Sequence, residues 1–291
     1  MIFILEYSLI KIRYKTFFLI NISGVIIMVK KTYICPKGKK SAVIIENISI
    51  QIKEGATFLL GIAGAGLIGP IITNTLVEQI PDVKEIGFVA SDLLPPVSVF
   101  YDGKLKNPFR LYYSAQHNLV IGVSEVPFQT TSAYNDLAKT ICHWALSDDV
   151  KIKEIVVFQG YHKHGMIDDF PVHYASEEDM IEIFEKLNLK KFERGIISGG
   201  EASIINEALT NGLKPIALFA PVYQIPTPEA AAAILEVLNQ LYNLTIDTSK
   251  LIEEGKEIKV KMLDLAEKAQ EYQRQQQLPE TPSEGYTQYF Q

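Results

Sequence analysis

A strand, a glycine-rich turn and a helix follow one another over residues 57–79, and this segment constrains the fold more than any other. Thr57–Ile62 is a mostly apolar run, which is typical of a strand buried on both faces. The turn after it places Gly64, Gly66 and Gly69 in the spacing G-x-G-x-x-G, and an apolar helix begins there. A strand that enters a helix through such a turn is half of a βαβ unit, so the segment predicts an α/β protein.

Two interpretations of these three glycines stay open. In dinucleotide-binding folds the same spacing allows a tight turn, admits a pyrophosphate and lets the helix pack against the strand. A phosphate loop of the kinase type is excluded, because Leu67 and Ile68 stand where it needs lysine and a hydroxyl residue. Asp92, at the end of the next predicted strand, is the residue that could bind a ribose. We predict a structural turn; the alternative is a nucleotide- or nucleoside-binding enzyme that uses the three glycines and Asp92.

Composition narrows the class of protein further. A chain of 291 residues with 47% hydrophobic residues can bury one large core. Its net charge of -6 argues against a nucleic-acid-binding surface, which needs clustered Lys and Arg. Two distant cysteines, Cys35 and Cys142, indicate neither a disulfide framework nor a thiolate zinc site. We therefore expect a protein of the reducing cytoplasm.

Strand and helix patterns alternate along most of the chain. This alternation predicts a three-layer α/β core domain over residues 28–250, with a mostly parallel central sheet and helices on both faces. The predicted strands are Glu85–Ala90, Val97–Tyr101, Phe109–Ser114, Leu119–Ser124, Glu154–Phe158, Gly195–Gly200 (a strand and turn) and Pro215–Ala220. The predicted helices are Ser132–Leu146, Glu178–Leu187, Ala202–Thr210 and Pro228–Tyr242.

The first 27 residues are set apart from this domain. Residues 17–29 form an apolar run too short to span a bilayer comfortably, and no signal-peptide cleavage site follows it. Met28 precedes a polar start, so we expect residues 1–27 to be an upstream extension outside the fold and no membrane partner for the protein. A membrane-associating helix is the alternative.

The C-terminal part changes character at Leu251. Apolar or small residues recur at alternating spacings of four and three over residues 251–277, which predicts a charged helix with one buried stripe. That stripe packs either on the parent domain or between subunits. Residues 278–291 form a polar, proline-punctuated tail that ends in aromatic residues. The aromatic tip indicates a docking peptide.

Catalytic and metal-binding patterns are weak. His162 and His164 stand in a glycine-containing loop that we expect to be solvated. Ser198 is offset from a nucleophile elbow, and no histidine follows it in the sequence. Glu125, beside a predicted strand, has no evident acid partner. We therefore predict no enzyme activity, no metal and no cofactor.

Several blocks in this order resemble the proteasome assembly chaperone family, including its archaeal homologues. The resemblance covers about residues 55–250 and implies a fold similar to nucleoside phosphorylases without their catalytic residues. It also implies that the glycine turn is architectural and that the partners are proteasome core α subunits. The blocks are Gly61–Gly69, Glu85–Pro96, Ser124–Pro127, Gly195–Gly199 and Pro228–Ala233.

The resemblance also implies a role for the last three residues. Family members that engage the core particle use a C-terminal tripeptide of a hydrophobic residue, a tyrosine and any final residue. Here these positions are Tyr289, Phe290 and Gln291, so Phe290 departs from the pattern by lacking the hydroxyl. The expected function is that of a cytoplasmic homo-oligomer that binds the outer α-ring through these residues, as an assembly chaperone or an activator-like adaptor.

Overall fold

The computed structural model describes residues 3–5, 8–9, 12–18, 30–35 and 40–277, and for 3–5, 8–9, 12–18 and 264–277 it describes the backbone alone. The strands are β1 Phe3–Leu5, β2 Ser8–Leu9, β3 Ile12–Phe18, β4 Lys30–Ile34, β5 Ser41–Ile45, β6 Thr57–Ile62, β7 Lys84–Ser91, β8 Val99–Tyr101, β9 Lys104–Lys106, β10 Phe109–Ser114, β11 Leu119–Ser124, β12 Glu154–His162, β13 His173–Ser176, β14 Lys190–Lys191 and β15 Lys214–Val222. The helices are α1 Ile68–Gln79, α2 Thr131–Ala145, α3 Ile181–Lys186, α4 Gly200–Asn211, α5 Pro228–Tyr242 and α6 Ser249–Gln277.

All described strands except β8 and β9 join one sheet of mixed direction. Its order is β1-β3-β4-β5-β7-β10-β11-β6-β12-β15-β13-β14, with β2 beside β3. Neighbours are parallel from β11 through β6 and β12 to β15, and again between β13 and β14; the other pairs are antiparallel.

The prediction of a mostly parallel sheet is therefore wrong. Parallel neighbours need a long crossover connection, usually a helix, whereas antiparallel neighbours need only a short link. Helices α1, α2 and α4 supply such crossovers around β6, β12 and β15. Only residues 115–118 connect β10 to β11, and this short link makes that pair antiparallel. The division of the chain at residue 27 stays a prediction.

Helices cover both faces of the sheet. Strand β6 is buried at every position. Phe58 and Leu60 belong to the core cluster shared with α2 and α4. Leu59, between them, belongs to the cluster shared with α1, α5 and the start of α6. Alternate side chains of a strand point to opposite faces, so one central strand contributes to both cores.

The C-terminal ends of β11, β6, β12 and β15 lie together at what we call the carboxyl edge of the sheet. Helix α6 runs toward this edge. It begins after Asp247, whose backbone N–H donates to the Gln79 side chain (2.7 Å) at the far end of α1. Further along, the Lys259 ammonium lies 3.1 Å from Asp168, which follows β12. The chain beyond α6 therefore continues from the carboxyl-edge side of the domain.

One predicted strand does not form. Residues 195–198 are irregular, and the Ile196 side chain is 98% exposed. The edge of β15 that could pair with another strand is taken by β13, whose residues His173–Ser176 run antiparallel to it. The segment before α4 is consequently left as a loop at the carboxyl edge. Within the described part of the chain, no helix is both long and apolar enough to cross a membrane.

Candidate functional site

The glycine turn is filled by the protein itself. A methyl group on Gly61 would overlap the carbonyl oxygen of Gly69, and one on Gly69 would lie 2.5 Å from the Ile62 oxygen. Helix α1 thus packs against β6 with no room for a side chain. Gly66 has a φ of +65°, and a methyl group there would come within 2.7 Å of Val222. The Gly66 carbonyl accepts the Thr227 N–H (2.9 Å). These contacts support a structural turn.

Asp92 lies far from that turn. It follows β7 at the carboxyl edge, but β10 and β11 separate β7 from β6. Three strand spacings place it about 14 Å from the turn. In dinucleotide folds the acidic residue lies instead on the strand that neighbours the glycine turn within the sheet. Its side chain is exposed, and it is Ser91 that accepts the Leu93 N–H (3.1 Å) and closes the local turn. The four residues of the nucleotide alternative are therefore not brought together.

The other catalytic and metal-binding candidates are also dispersed. His162 and His164 are both exposed near the end of β12. His173 instead lies on β13, where its ring stacks on Phe192 with centroids 4.5 Å apart. Among residues 30–35 and 40–263, whose side chains are described, no group of three or more His, Cys, Asp or Glu is placed to hold a metal.

Glu125 has a cation as its partner rather than an acid. The guanidinium of Arg110, only 1% exposed, donates to Glu125 (2.6 Å), to the Tyr112 hydroxyl (2.9 Å) and to the Asn107 carbonyl (3.0 Å). Burial by itself would raise the pKa of Glu125, but hydrogen bonds from Tyr101 and Arg110 outweigh it and lower this pKa. A carboxylate held in its charged form is a poor general base at neutral pH, so its geometry indicates an anchor.

What this anchor holds is the separate hairpin of β8 and β9. The Tyr101 hydroxyl donates to Glu125, and the Arg110 guanidinium lies 5.1 Å from the centre of the Tyr101 ring. Burial and the bond to Glu125 raise the pKa of Tyr101 to about 12, so the hydroxyl stays protonated. A two-stranded hairpin is only marginally stable alone. The buried ion pair thus fixes the hairpin at the carboxyl edge.

A cleft of about 580 Å³ opens at the same edge, beside the ends of β12 and β15. We call it the carboxyl-edge cleft. Phe192 lies at its aromatic centre. The Phe192 ring packs edge-to-face with Tyr161 and Phe219, with ring centroids 5.5 Å and 5.0 Å apart. Gln159 also lines it, and the carbonyl oxygen of that side chain is buried with no hydrogen-bond partner among the described residues. Arg194 and Ile196 lie on the loop that forms its outer wall.

Glu201 is buried beside the glycine turn. It lies in the first turn of α4, and its side chain is 6% exposed. A methyl group on Gly64 would lie 3.3 Å from one of its carboxyl oxygens, and one on Gly199 would lie 3.6 Å from the other. Burial raises the pKa of Glu201 to about 7, opposed only by a bond from its own backbone N–H. The carboxyl group therefore titrates near neutral pH.

The predicted docking residues Tyr289, Phe290 and Gln291 lie outside the described residues. The helix that leads to them is described. Leu251 and Gly255 are buried, and a methyl group on Gly255 would overlap the Glu229 side chain of α5. Val260 and Leu263 are exposed. The first part of the apolar stripe thus packs on the parent domain. The side chains of the stripe beyond residue 263 are not among those that the structure describes.

Sequence reasoning missed both the anchor and the cleft. Arg110 stands between apolar residues in a buried strand, and this unusual placement is the signal that could have identified the anchor. The cleft gave no such signal, because its residues come from separated segments of the chain and are brought together only by the sheet order.

Comparison with known proteins gives one family match. The model of the PAC2 family matches residues 58–266. An uncharacterized protein of Methanocaldococcus jannaschii is 25% identical over 227 residues, which cover 77% of this chain and 90% of that protein.

Two solved structures from Pyrococcus furiosus share the fold. PbaA, described as an archaeal homolog of proteasome-assembly chaperone, superposes with a TM-score of 0.68 at 26% identity, over 82% of this chain and 96% of PbaA. PbaB, described as an archaeal proteasome activator, also gives a TM-score of 0.68, at 18% identity over 78% of this chain and 99% of PbaB.

Proposed function

Because this chain belongs to the PAC2 family, we propose that it acts without catalysis, as a cytoplasmic proteasome assembly chaperone or activator-like adaptor. It docks on the outer α-ring of the proteasome core particle through Tyr289, Phe290 and the carboxylate of Gln291. The self-associated protein presents several such tails at once. The resemblance to proteasome assembly chaperones rests on the family match and on PbaA.

The observation that carries the proposal is the course of α6. This helix passes the carboxyl edge at Lys259 and continues as a helix to Gln277. At roughly 1.5 Å per residue, that stretch is ~27 Å long. The eight residues 278–285 add up to about 25 Å when extended. The proposed docking residues are therefore given a reach of several tens of ångströms from the domain.

The chemistry of the tail suits a pocket between ring subunits. Aromatic side chains are effective anchors because they bury a large area at small entropic cost, and a terminal carboxylate pairs with a cation or with backbone N–H groups. Phe290 retains the apolar anchor but not the tyrosine hydroxyl. One missing hydrogen bond costs about 1 kcal/mol per tail, and several tails on one oligomer offset that loss through effective concentration.

The nucleotide alternative finds no support in the geometry. The space beside Gly66 that a pyrophosphate would need is occupied by Val222, and Asp92 lies three strands away. A ligand present at a hundred times its Kd raises the free energy of unfolding by about 2.7 kcal/mol. We accordingly expect NAD, ATP and nucleosides to leave the unfolding temperature unchanged.

Binding to the core particle of the same organism tests the proposal. Full-length protein is compared with a version lacking Tyr289–Gln291, and a Ser283→Ala variant controls for changes elsewhere in the tail. We expect the truncation to abolish binding and the control to bind as the full-length protein does. Phe290→Tyr should bind about fivefold more tightly per tail, since it restores one hydrogen bond. Undiminished binding of the truncated protein would refute docking through the tail.

A further inference from the structure

Two apolar features at the carboxyl edge are left uncovered within the described part of the chain. One is the hairpin of β8 and β9, where Phe100 is 72% and Leu105 80% exposed. The other is the carboxyl-edge cleft, whose wall carries the 98% exposed Ile196. Large apolar side chains clustered at such exposure usually mark an interaction surface.

The hairpin presents its apolar side chains outward on a fixed support. Phe100 pairs directly with Leu105 across the two strands, so both project from the same face. Tyr101 points to the opposite face, because neighbouring residues alternate, and there it is tied to Glu125 and Arg110. One face is therefore anchored to the domain, and the other offers a phenylalanine and a leucine to a partner.

The cleft is suited to receive such a pair. Its volume of about 580 Å³ lies within the range of sites that enclose compact ligands or anchor side chains. Tyr161, Phe192 and Phe219 line it with aromatic surface, and aromatic side chains favour edge-to-face contacts with another ring. The unpartnered oxygen of Gln159 adds an acceptor for a donor on the incoming segment.

The charges at the two features are complementary. The hairpin turn carries Asp102 at its tip, and the cleft wall carries Arg194. Both side chains are exposed, and neither forms an ion pair with another described residue. An acid on one surface and a base on the other can pair and fix the register of an interface.

The hairpin does not enter the cleft of its own subunit. Tyr101 holds it beside β11, and β6 lies between β11 and β12, the nearer of the two strands that end at the cleft. Phe100 and Leu105 project from the opposite face of the hairpin and are exposed. The occupant must therefore be another molecule, and a second copy brings the matching surface.

We propose that the β8–β9 hairpin of one copy inserts Phe100 and Leu105 into the carboxyl-edge cleft of the next. This inference rests on the self-association in the proposed function and assigns the surfaces that form it. Different surfaces meet at such a contact, so it is heterologous and closes into a ring when the rotation between copies allows. Every copy in a ring keeps the same orientation relative to its axis, so all α6 helices point to the same side. The tails are then presented together.

The test is the mass of full-length variants in solution by light scattering. Phe100→Glu combined with Leu105→Glu removes the hairpin surface, and Ile196→Glu charges the cleft wall. Leu209→Glu, at an exposed leucine on α4, is the matched control. We expect an oligomeric wild type and control, and monomeric hairpin and cleft variants. An equimolar mixture of the two variants should form a dimer, because one intact hairpin then meets one intact cleft.

Several outcomes would overturn the inference. They are a monomeric wild type, wild-type mass in either the hairpin or the cleft variant, and a mixture that stays monomeric. Circular dichroism must show that the variants are folded, which the exposure of the three positions leads us to expect.

Binding to the core particle separates this inference from the proposed function. If the interface is wrong but tail docking is right, truncation of Tyr289–Gln291 still abolishes binding while the surface variants bind normally. If both are right, the monomeric variants bind about a hundredfold more weakly.

Discussion

Two carboxyl groups at the same edge of the sheet have pKa values that are shifted in opposite directions. Glu125, after β11, accepts hydrogen bonds from Arg110, Tyr101 and Asn74, and its pKa is lowered. Glu201, beside the glycine turn, has no cation among its described neighbours, and burial raises its pKa to about 7. Burial acts in the same direction on both groups, so the difference comes from the partner that each one meets.

The two carboxyl groups belong to two different regions, the glycine turn and the hairpin anchor. The glycine turn is closed by backbone contacts, and the carboxyl group buried beside it is stabilised in its neutral form. The hairpin anchor holds a charged carboxylate because it must fix a projecting element to the domain. A buried pair of this kind contributes positioning more than stability, since desolvation offsets much of the Coulombic attraction.

The largest effect is expected at the closed region. In Gly61→Val the new side chain meets the backbone of Gly69, which cannot move without displacing α1, so we expect a loss of about 4 kcal/mol in the free energy of unfolding. Gly195→Val is the matched control, because a methyl group there has no atom within 4 Å. Urea denaturation measures both. Similar stability of the two variants would mean that the turn is not closed.

A smaller loss is expected at the anchor. Arg110→Met leaves Glu125 half-buried without its cation, which should lower the free energy of unfolding by about 3 kcal/mol. Lys106→Met, which removes a more exposed ion pair with Glu85, should cost less than about 1 kcal/mol. Adding Glu125→Gln to Arg110→Met should recover part of the loss. If the double variant is no more stable than the single one, the pairing of Arg110 with Glu125 is not what the single variant lost.

The smallest effect depends on pH and concerns Glu201. The pKa of its carboxyl is about 7 in the folded protein and near its ordinary value of 4.5 in the unfolded chain. Between these values the folded state binds more protons, so wild-type stability falls as pH rises through this window and levels off above it. From pH 5 to pH 8 the change is about 2–3 kcal/mol.

The comparison that isolates this effect is Glu201→Gln, with Glu182→Gln at an exposed position of α3 as control. Relative to wild type, Glu201→Gln should gain stability from pH 5 to pH 8, whereas the control should keep the wild-type profile. A profile of Glu201→Gln parallel to that of the wild type would show that Glu201 does not titrate in this window.

Much of the element pattern could be predicted from the sequence, but the sheet directions could not. The strands over residues 109–114 and 119–124 and the helix over 228–242 lie as predicted, because apolar periodicity and turn residues act locally. The parallel assignment failed because strand direction depends on which strands become neighbours. The strand and turn expected over Gly195–Gly200 failed for the same reason, since β13 occupies the position beside β15.

The sequence by itself determined the α/β class, the glycine turn and the resemblance to proteasome assembly chaperones. These depend on local patterns and on the order of blocks along the chain. Only the tertiary structure decided that Glu125 has Arg110 as its partner, that Asp92 lies apart from the glycines, and that a hairpin and a cleft share one edge. Those facts depend on contacts between separate segments of the chain, which the strand order, the register of neighbouring strands and side-chain packing set together.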